Sequence, residues 1–461
     1  MSLDAVLARI DTDLPDAVDR LMDLLRIQSV STDPAYKDDC DRAADWLVED
    51  LKSLGVDASK RTTPGHPMVV GHIDGPANSD GPHLMFYGHY DVQPIDPIEL
   101  WDNDPFDPQI ENTPKGQVIR GRGSSDDKGQ LMTFVEACRA WKAIHGELPC
   151  KISFMFEGEE ESGSPSLVPF MKDNAAELTA DIALICDTGL FESAVPSITT
   201  QLRGLLGEDF TIKGPDRDLH SGMYGGIAMN PIRVLTKILA GLHDDETGAI
   251  TLPGFYDGVP ELTDAVRSQW QGLNFDHGKY LGDVGLSEPA GEKDRTPLEQ
   301  IWSRPTCDVN GIWGGYTGDG FKTVLPSEAS AKVSFRLVGT QDPDAVRTAF
   351  RSYLESALPE GFTVEYRTEK GAPASQMSID DPAFEKARKA LSDEWPRPGA
   401  YVGCGGSIPI AGYFQDILGM DAMLIGFGKD DDQIHSPNEK YDMESFHKGT
   451  RSWARILAVL S

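Results

Sequence analysis

Four short apolar runs constrain this chain more than any other feature: 83–87, 152–156, 182–186 and 422–427. Each is rich in aliphatic or aromatic side chains and ends against polar residues. Runs that are apolar throughout, rather than alternating, read as strands covered on both faces, which is the pattern of a parallel sheet. Amphipathic helical patterns at 17–27, 42–54 and 129–144 are interspersed with them. The expected fold class is α/β, a mainly parallel sheet with helices on both faces.

The texture changes near Thr199. Stretches 207–213 and 332–338 read as strands around helical patterns at 231–242 and 343–356. This predicts a first domain made of 1–199 and 374–461, with an α+β domain, 200–373, inserted into it. The stretch 252–296 is rich in Gly, Pro and charge and reads as a long irregular excursion.

Charge narrows the partners. With 42 Lys+Arg against 74 Asp+Glu in 461 residues, the formal charge is −32. Such an excess repels phosphate backbones and anionic lipid and attracts cations, so no nucleic acid and no membrane is expected as a partner. No apolar stretch reaches the ~20 residues needed to span a bilayer. The first ten residues lack the apolar core of a secretory signal, and Cys40, Cys138, Cys150, Cys186, Cys307 and Cys404 form no CxxC pair. The expected location is cytoplasmic, with reduced thiols.

Polar clusters mark the chemistry: His89-Tyr90-Asp91, Asp126-Asp127, Glu159-Glu160-Glu161, Asp187 and His435, most of them just after an apolar run. In a parallel sheet the carboxyl ends of strands share one edge, so residues from different strands converge there. Two imidazoles and several carboxylates buried together are costly unless neutralised, and a pair of divalent cations resolves that cost. Mixed His and carboxylate donors suit zinc, manganese or cobalt. Taken singly, each residue has a plainer reading: a loop histidine, a turn aspartate, a solvated glutamate run. Joint order and placement favour the metal site.

The motifs Tyr87-Gly88-His89-Tyr90-Asp91-Val92-Gln93-Pro94, Gly121-Arg122-Gly123-Ser124-Ser125-Asp126-Asp127-Lys128-Gly129, Glu160-Glu161-Ser162-Gly163-Ser164, His220-Ser221-Gly222, Gly405-Gly406-Ser407-Ile408-Pro409 and His435-Ser436-Pro437-Asn438-Glu439 occur in this order. Together they resemble the M20 metallopeptidases, within them the cytosolic nonspecific dipeptidase and carnosinase group, along nearly the whole chain. That resemblance implies a catalytic domain and an inserted lid and dimerisation domain. It implies two divalent ions per subunit, zinc or manganese favoured, with His89 and Asp187 on one, Glu161 and His435 on the other and Asp126 bridging. The implied reaction is hydrolysis of the peptide bond of dipeptides by a hydroxide held between the metals, with Glu160 as general base. Asp91, two residues after His89, is expected to orient the imidazole by accepting its second N–H. His220 is expected to reach a partner subunit's site in a homodimer and stabilise the tetrahedral intermediate. Arg336, Thr323, Gly406 and Ser407 are expected to hold the substrate carboxylate.

In this family the bond between the paired aspartates, here Asp126-Asp127, is commonly cis, and an uncharged residue usually precedes the paired glutamates where this chain has Glu159. Glu159 is expected to raise the pKa of Glu160 if it faces the crevice and to do nothing if it faces solvent. Asp127 is left between a helix-capping and a supporting role. Two alternatives share the centre: an N-acyl amino acid deacylase, and a catalytically silent metal-binding protein.

Overall fold

The four apolar runs fold as the parallel heart of one sheet. The computed structural model describes residues 2–461 apart from Asn78, Asp80, Glu369, Ser378, Asp380 and Ser407. The chain divides into two units, Met1–Thr200 with Met377–Val402 and Tyr413–Ser461, and Gln201–Gln376 with Gly403–Gly412.

The main sheet includes β1 (Asp57–Arg61), β2 (Met68–Ile73), β3 (Leu84–His89), β4 (Ile152–Glu157), β5 (Ile182–Ile185), β6 (Ser197–Leu202) and β7 (Asp421–Leu424). They are ordered β1-β2-β4-β3-β5-β7-β6. β3 lies parallel to β4 and β5, and β5 parallel to β7. β1, β2 and β4 pair antiparallel, as do β7 and β6.

All six residues of β3 are buried, and two of them show why both faces must be covered. Phe86 stacks on Phe134 of helix α3 (Lys128–His145), ring centroids 3.9 Å apart. Tyr87 points to the opposite face, as the pleat requires, and meets Phe414 edge-on at 6.0 Å. Helices α1 (Leu3–Leu25) and α5 (Met443–Leu460) pack on α3, α2 (Lys37–Ser53) packs on β1 and β2, and α4 (Pro382–Glu394) packs on α5. Arg20 of α1 clamps Glu136 of α3 with two hydrogen bonds of 2.7 Å.

The second unit holds a four-stranded antiparallel sheet in the order Thr306–Gly314, Glu328–Leu337, Gly204–Lys213, Thr363–Thr368. Helices Pro231–Ala240 and Pro343–Ala357 supply Leu235, Ile238, Phe350 and Leu354 to its core. The stretch 252–296 is less irregular than its composition suggests. It contains helices Asp264–Gly272 and His277–Gly282, each started by a side-chain cap, Thr263 and Asp276, and Trp270 packs edge-on against Trp302 at 5.0 Å. Local capping is enough to set such short helices despite the Gly and Pro around them. No helix among the described residues is long and apolar enough to cross a membrane.

Because Phe86 anchors both β3 and α3, Phe86→Ala is expected to cost about 3–5 kcal/mol of stability. Ile227→Ala, at an exposed position, is expected to stay within about 0.5 kcal/mol. Urea unfolding followed by tryptophan fluorescence compares the two.

Candidate metal centre

Three strands of the parallel core deliver a polar group at or just beyond their carboxyl ends. β3 ends on His89, which pairs in register with Glu157 at the end of β4. Beyond β4 the short helical turn Glu160–Ser162 carries Glu160 and Glu161. Asp187 follows β5, Asp126-Asp127 immediately precedes α3, and His435 lies in the loop after β7.

These side chains converge on Asp126. Its Oδ1 lies 3.1 Å from His89 Nε2 and its Oδ2 lies 2.9 Å from His435 Nε2. On the first side Asp187 Oδ2 is 4.0 Å from His89 Nε2, and on the second Glu161 Oε2 is 3.3 Å from His435 Nε2. His89, Asp126 and Asp187 thus form one group, and Asp126, Glu161 and His435 another, with the donor atoms of each within 4.8 Å of one another. His89 is fully buried, whereas the His435 side chain is 53% exposed, so one group is closed by protein and the other opens outward.

Supporting hydrogen bonds fix this arrangement. His89 Nδ1 lies 3.1 Å from the Asp91 carbonyl and 3.4 Å from its carboxylate. The same carboxylate accepts the backbone N–H groups of Glu160 and Glu161 at 3.2 and 3.0 Å, so Asp91 ties the imidazole to the glutamate turn. The Asp126-Asp127 bond is cis. Asp127 makes no side-chain cap for α3; its Oδ2 accepts the His89 N–H at 3.2 Å. Glu159 faces neither crevice nor solvent. It is buried, and its oxygens accept the N–H groups of His66 and Ser166.

Other supporting residues carry no distinctive sequence signal. Buried Glu439 accepts the N–H groups of Ser125, Asp126 and Gly123 at 2.9, 3.0 and 3.0 Å, and Arg122 Nη1 at 2.7 Å. Asp432 Oδ2 accepts from Ser125 Oγ at 2.7 Å and Lys429 N at 2.8 Å. Gln93 donates to Glu161 Oε2 at 2.6 Å. Glu439 and Gln93 lie inside the quoted motifs, which is the one clue the sequence offered.

Charge decides what the cluster can hold. Burial and the neighbouring Asp126 charge push the Asp187 carboxyl well above the usual range. Burial, joined by the charges of Glu161, Asp91 and Asp126, also raises Glu160 against the pull of His89. Burial opposes ionisation of Asp126, yet hydrogen bonds from His435 and His89 outweigh it and hold that carboxyl low. The bonds from Asp126 and Glu161 raise His435 to about 10. Five acidic residues therefore share two imidazoles, and Glu161 Oε1 is buried with no hydrogen-bond partner among the described residues. Divalent cations fit this donor set, since they would neutralise the excess and engage that orphaned oxygen.

The remaining predicted residues lie in the second unit. His220 pairs with Val324, and Ser221 N donates to the Thr323 carbonyl at 3.0 Å, so His220 and Thr323 are neighbours. Arg336 stands opposite Thr306 and Leu205 in its sheet. The Gly406 carbonyl accepts from Arg203 N at 3.1 Å, and Arg203 Nε donates to Gly405 O at 3.0 Å. Burial first, and the nearby charge of Arg336 second, lower the Arg203 pKa. Arg203 is thus a second guanidinium beside Arg336 that the sequence did not single out. Ser407 lies outside the described residues.

Comparison with known proteins follows the same lines. The chain is 30% identical to the Cys-Gly metallodipeptidase dug1 of Schizosaccharomyces pombe, covering 100% of this chain and 99% of that protein. It is 27% identical to the Beta-Ala-His dipeptidase of Rattus norvegicus, covering 100% and 96%. The crystal structure of the M20 family metallo-carboxypeptidase Sso-CP2 from Sulfolobus solfataricus superposes with a TM-score of 0.80 at 31% identity, covering 96% of this chain and 99% of that one. Residues 85–459, which hold all five side chains of the two candidate ligand groups and Glu160, match peptidase family M20/M25/M40, and the chain belongs to that family.

Proposed function

We propose that this protein is a metal-dependent dipeptidase. One observation carries the reading: Asp126 presents one carboxylate oxygen to each of two imidazoles, His89 and His435, dividing the cluster into two adjoining donor groups. His89 and Asp187 would hold one divalent ion, Glu161 and His435 the other, and Asp126 both. When bound, the ions supply Lewis acidity to the scissile carbonyl and to the attacking water. Zinc and manganese suit donors of mixed imidazole and carboxylate type.

Glu160 takes the proton from the attacking water and returns it to the leaving amine. Asp91 holds the Glu160 backbone and the His89 ring in one hydrogen-bonded unit, which fixes base against ligand. The second unit serves as lid and dimerisation domain. There Arg336, Thr323, Gly406 and Ser407 bind the substrate carboxylate, and His220 of the partner subunit stabilises the tetrahedral intermediate. The homodimer draws support from the edge strand Thr306–Gly314, where Val309, Ile312 and Trp313 are exposed along a sheet edge that no strand among the described residues pairs, a surface that invites pairing with another chain. The relatives named as dipeptidases support the substrate class, and six free cysteines support a reducing cytoplasm.

Glu160→Gln is expected to keep the bound metal and lower turnover by roughly 10² to 10⁴, measured on a free dipeptide alongside metal analysis. Chelator-stripped protein is expected to lose activity and regain it with zinc, manganese or cobalt. Activity should extend to free dipeptides and not to an N-acetyl amino acid; cleavage of the latter alone would make the protein a deacylase. Mixing His220→Ala with Glu160→Gln subunits should restore part of the activity, because each mixed dimer then contains one complete site. Verified mixed dimers without any rescue would sink the shared site.

A further inference from the structure

Three consecutive glutamates follow β4, and the first takes no part in the chemistry assigned above. Glu159 is 2% exposed, and a carboxylate that far from water persists when its lone pairs are met. Oε1 accepts from His66 N at 2.7 Å and Oε2 from Ser166 N at 2.9 Å. Its carbonyl accepts from Ser162 N at 3.1 Å, Ser164 N at 2.7 Å and Ser162 Oγ at 3.1 Å. One residue therefore closes the turn that carries Glu160 and Glu161 with its main chain, and moors it to the loop between β1 and β2 with its side chain.

That loop is itself anchored. Thr63 Oγ1 donates to the His66 carbonyl at 2.6 Å, His66 Nε2 lies 3.1 Å from the Ser31 carbonyl, and Tyr90 Oη donates to the Pro67 carbonyl at 2.6 Å. Tyr90 follows His89 in the chain, so the loop connects the ligand strand to the glutamate turn. Gly65 completes the fit: a Cβ there would lie 1.5 Å from Glu159 Oε1 and 2.7 Å from its Cδ. The loop can come this close to the carboxylate because residue 65 has no side chain.

We propose that Glu159 is a positioning residue, which fixes the turn so that the Glu160 carboxylate stands in one place over the centre; this rests on Glu160 being the general base. Its two charge-assisted bonds to backbone N–H groups supply the rigidity; an amide in its place could accept from only one of these donors, and an aliphatic side chain from neither.

The test is kinetic, on the full-length metal-loaded protein, with metal content and melting temperature measured in parallel. Glu159→Gln sets an amide NH2 against a backbone N–H. It is expected to lower kcat by roughly 10- to 100-fold, the scale of a misplaced catalytic group, with KM and metal content unchanged. Gly65→Ala should displace the carboxylate from the other side and give the same split. In Gly65→Ala/Glu159→Ala the new methyl enters the vacated space, so kcat should equal that of Glu159→Ala alone. Wild-type kcat in Glu159→Gln, with or without a lower melting temperature, overturns the proposal, as do losses that multiply in the double variant. If Glu159→Ala fails to fold, Glu159→Gln and Gly65→Ala still decide. Glu160→Gln separates the two readings: full turnover there removes the base assignment and this proposal with it, whereas an inactive Glu160→Gln beside a fully active Glu159→Gln removes this proposal alone.

Discussion

Asp126 takes His89 on one carboxylate oxygen and His435 on the other, and the rest of the centre depends on keeping that division. A carboxylate so placed needs a backbone that cannot turn. Glu439 provides it by accepting the N–H groups of Gly123, Ser125 and Asp126 with its two oxygens. Asp127 acts on the other side, where its Oδ2 holds the His89 main chain at 3.2 Å. Glu439 thus holds the backbone leading into Asp126, and Asp127 holds the His89 main chain, mainly through backbone amides. Such bonds are directional and charge-assisted, and they leave the metal-facing oxygens free of competing duties.

Electrostatics and geometry point the same way. Carboxylates concentrated at one sheet edge repel each other, and the upward shifts of Asp187 and Glu160 reflect burial reinforced by that repulsion. A protein that kept them only for packing would pay stability for nothing, since apolar side chains of similar size would fill the space at lower cost. Divalent cations invert the balance, because the charges that repel in their absence become ligands. Glu160 stands in the same field of charge, and its backbone is tied to Asp91.

The parallel core was legible because its strands are apolar on both faces, and 83–87, 152–156, 182–186 and 422–427 became its four parallel strands. The convergence of His89, Glu161 and Asp187 followed from strand direction, since groups after parallel strands emerge at one edge, whereas Asp126 comes from the turn before α3 and His435 from the loop beyond β7. Residues that act through backbone amides were harder to read. Glu439, Asp127 and Glu159 are defined by which N–H groups lie within reach, and those come from segments distant in sequence: His66 for Glu159, His89 for Asp127, Gly123 to Asp126 for Glu439. A glutamate run looks the same in sequence whether its first member faces water or is 2% exposed. The helices within 252–296 escaped notice because single capping side chains, Thr263 and Asp276, start them, and caps are weak signals amid Gly and Pro.

His435 reaches Asp126 from the far side of the inserted stretch, and the sheet explains how so long an interruption is tolerated. Closing a longer loop costs little extra entropy, because the penalty grows only as the logarithm of length. The returning chain must then find its register, and β7 does so by pairing parallel with β5, from Asp421 opposite Ile182 to Leu424 opposite Ile185. Beyond that pairing, Ile425 N donates to the Ile185 carbonyl at 2.9 Å and Phe427 N to Gln130 Oε1 at 2.8 Å. Asp432 then binds Ser125, and Glu439 binds the turn ending in Asp126. The loop carrying His435 is therefore moored at both ends to the segment that carries its carboxylate partner, so insertion of a whole unit between Asp187 and His435 leaves the distance from His435 to Asp126 set locally.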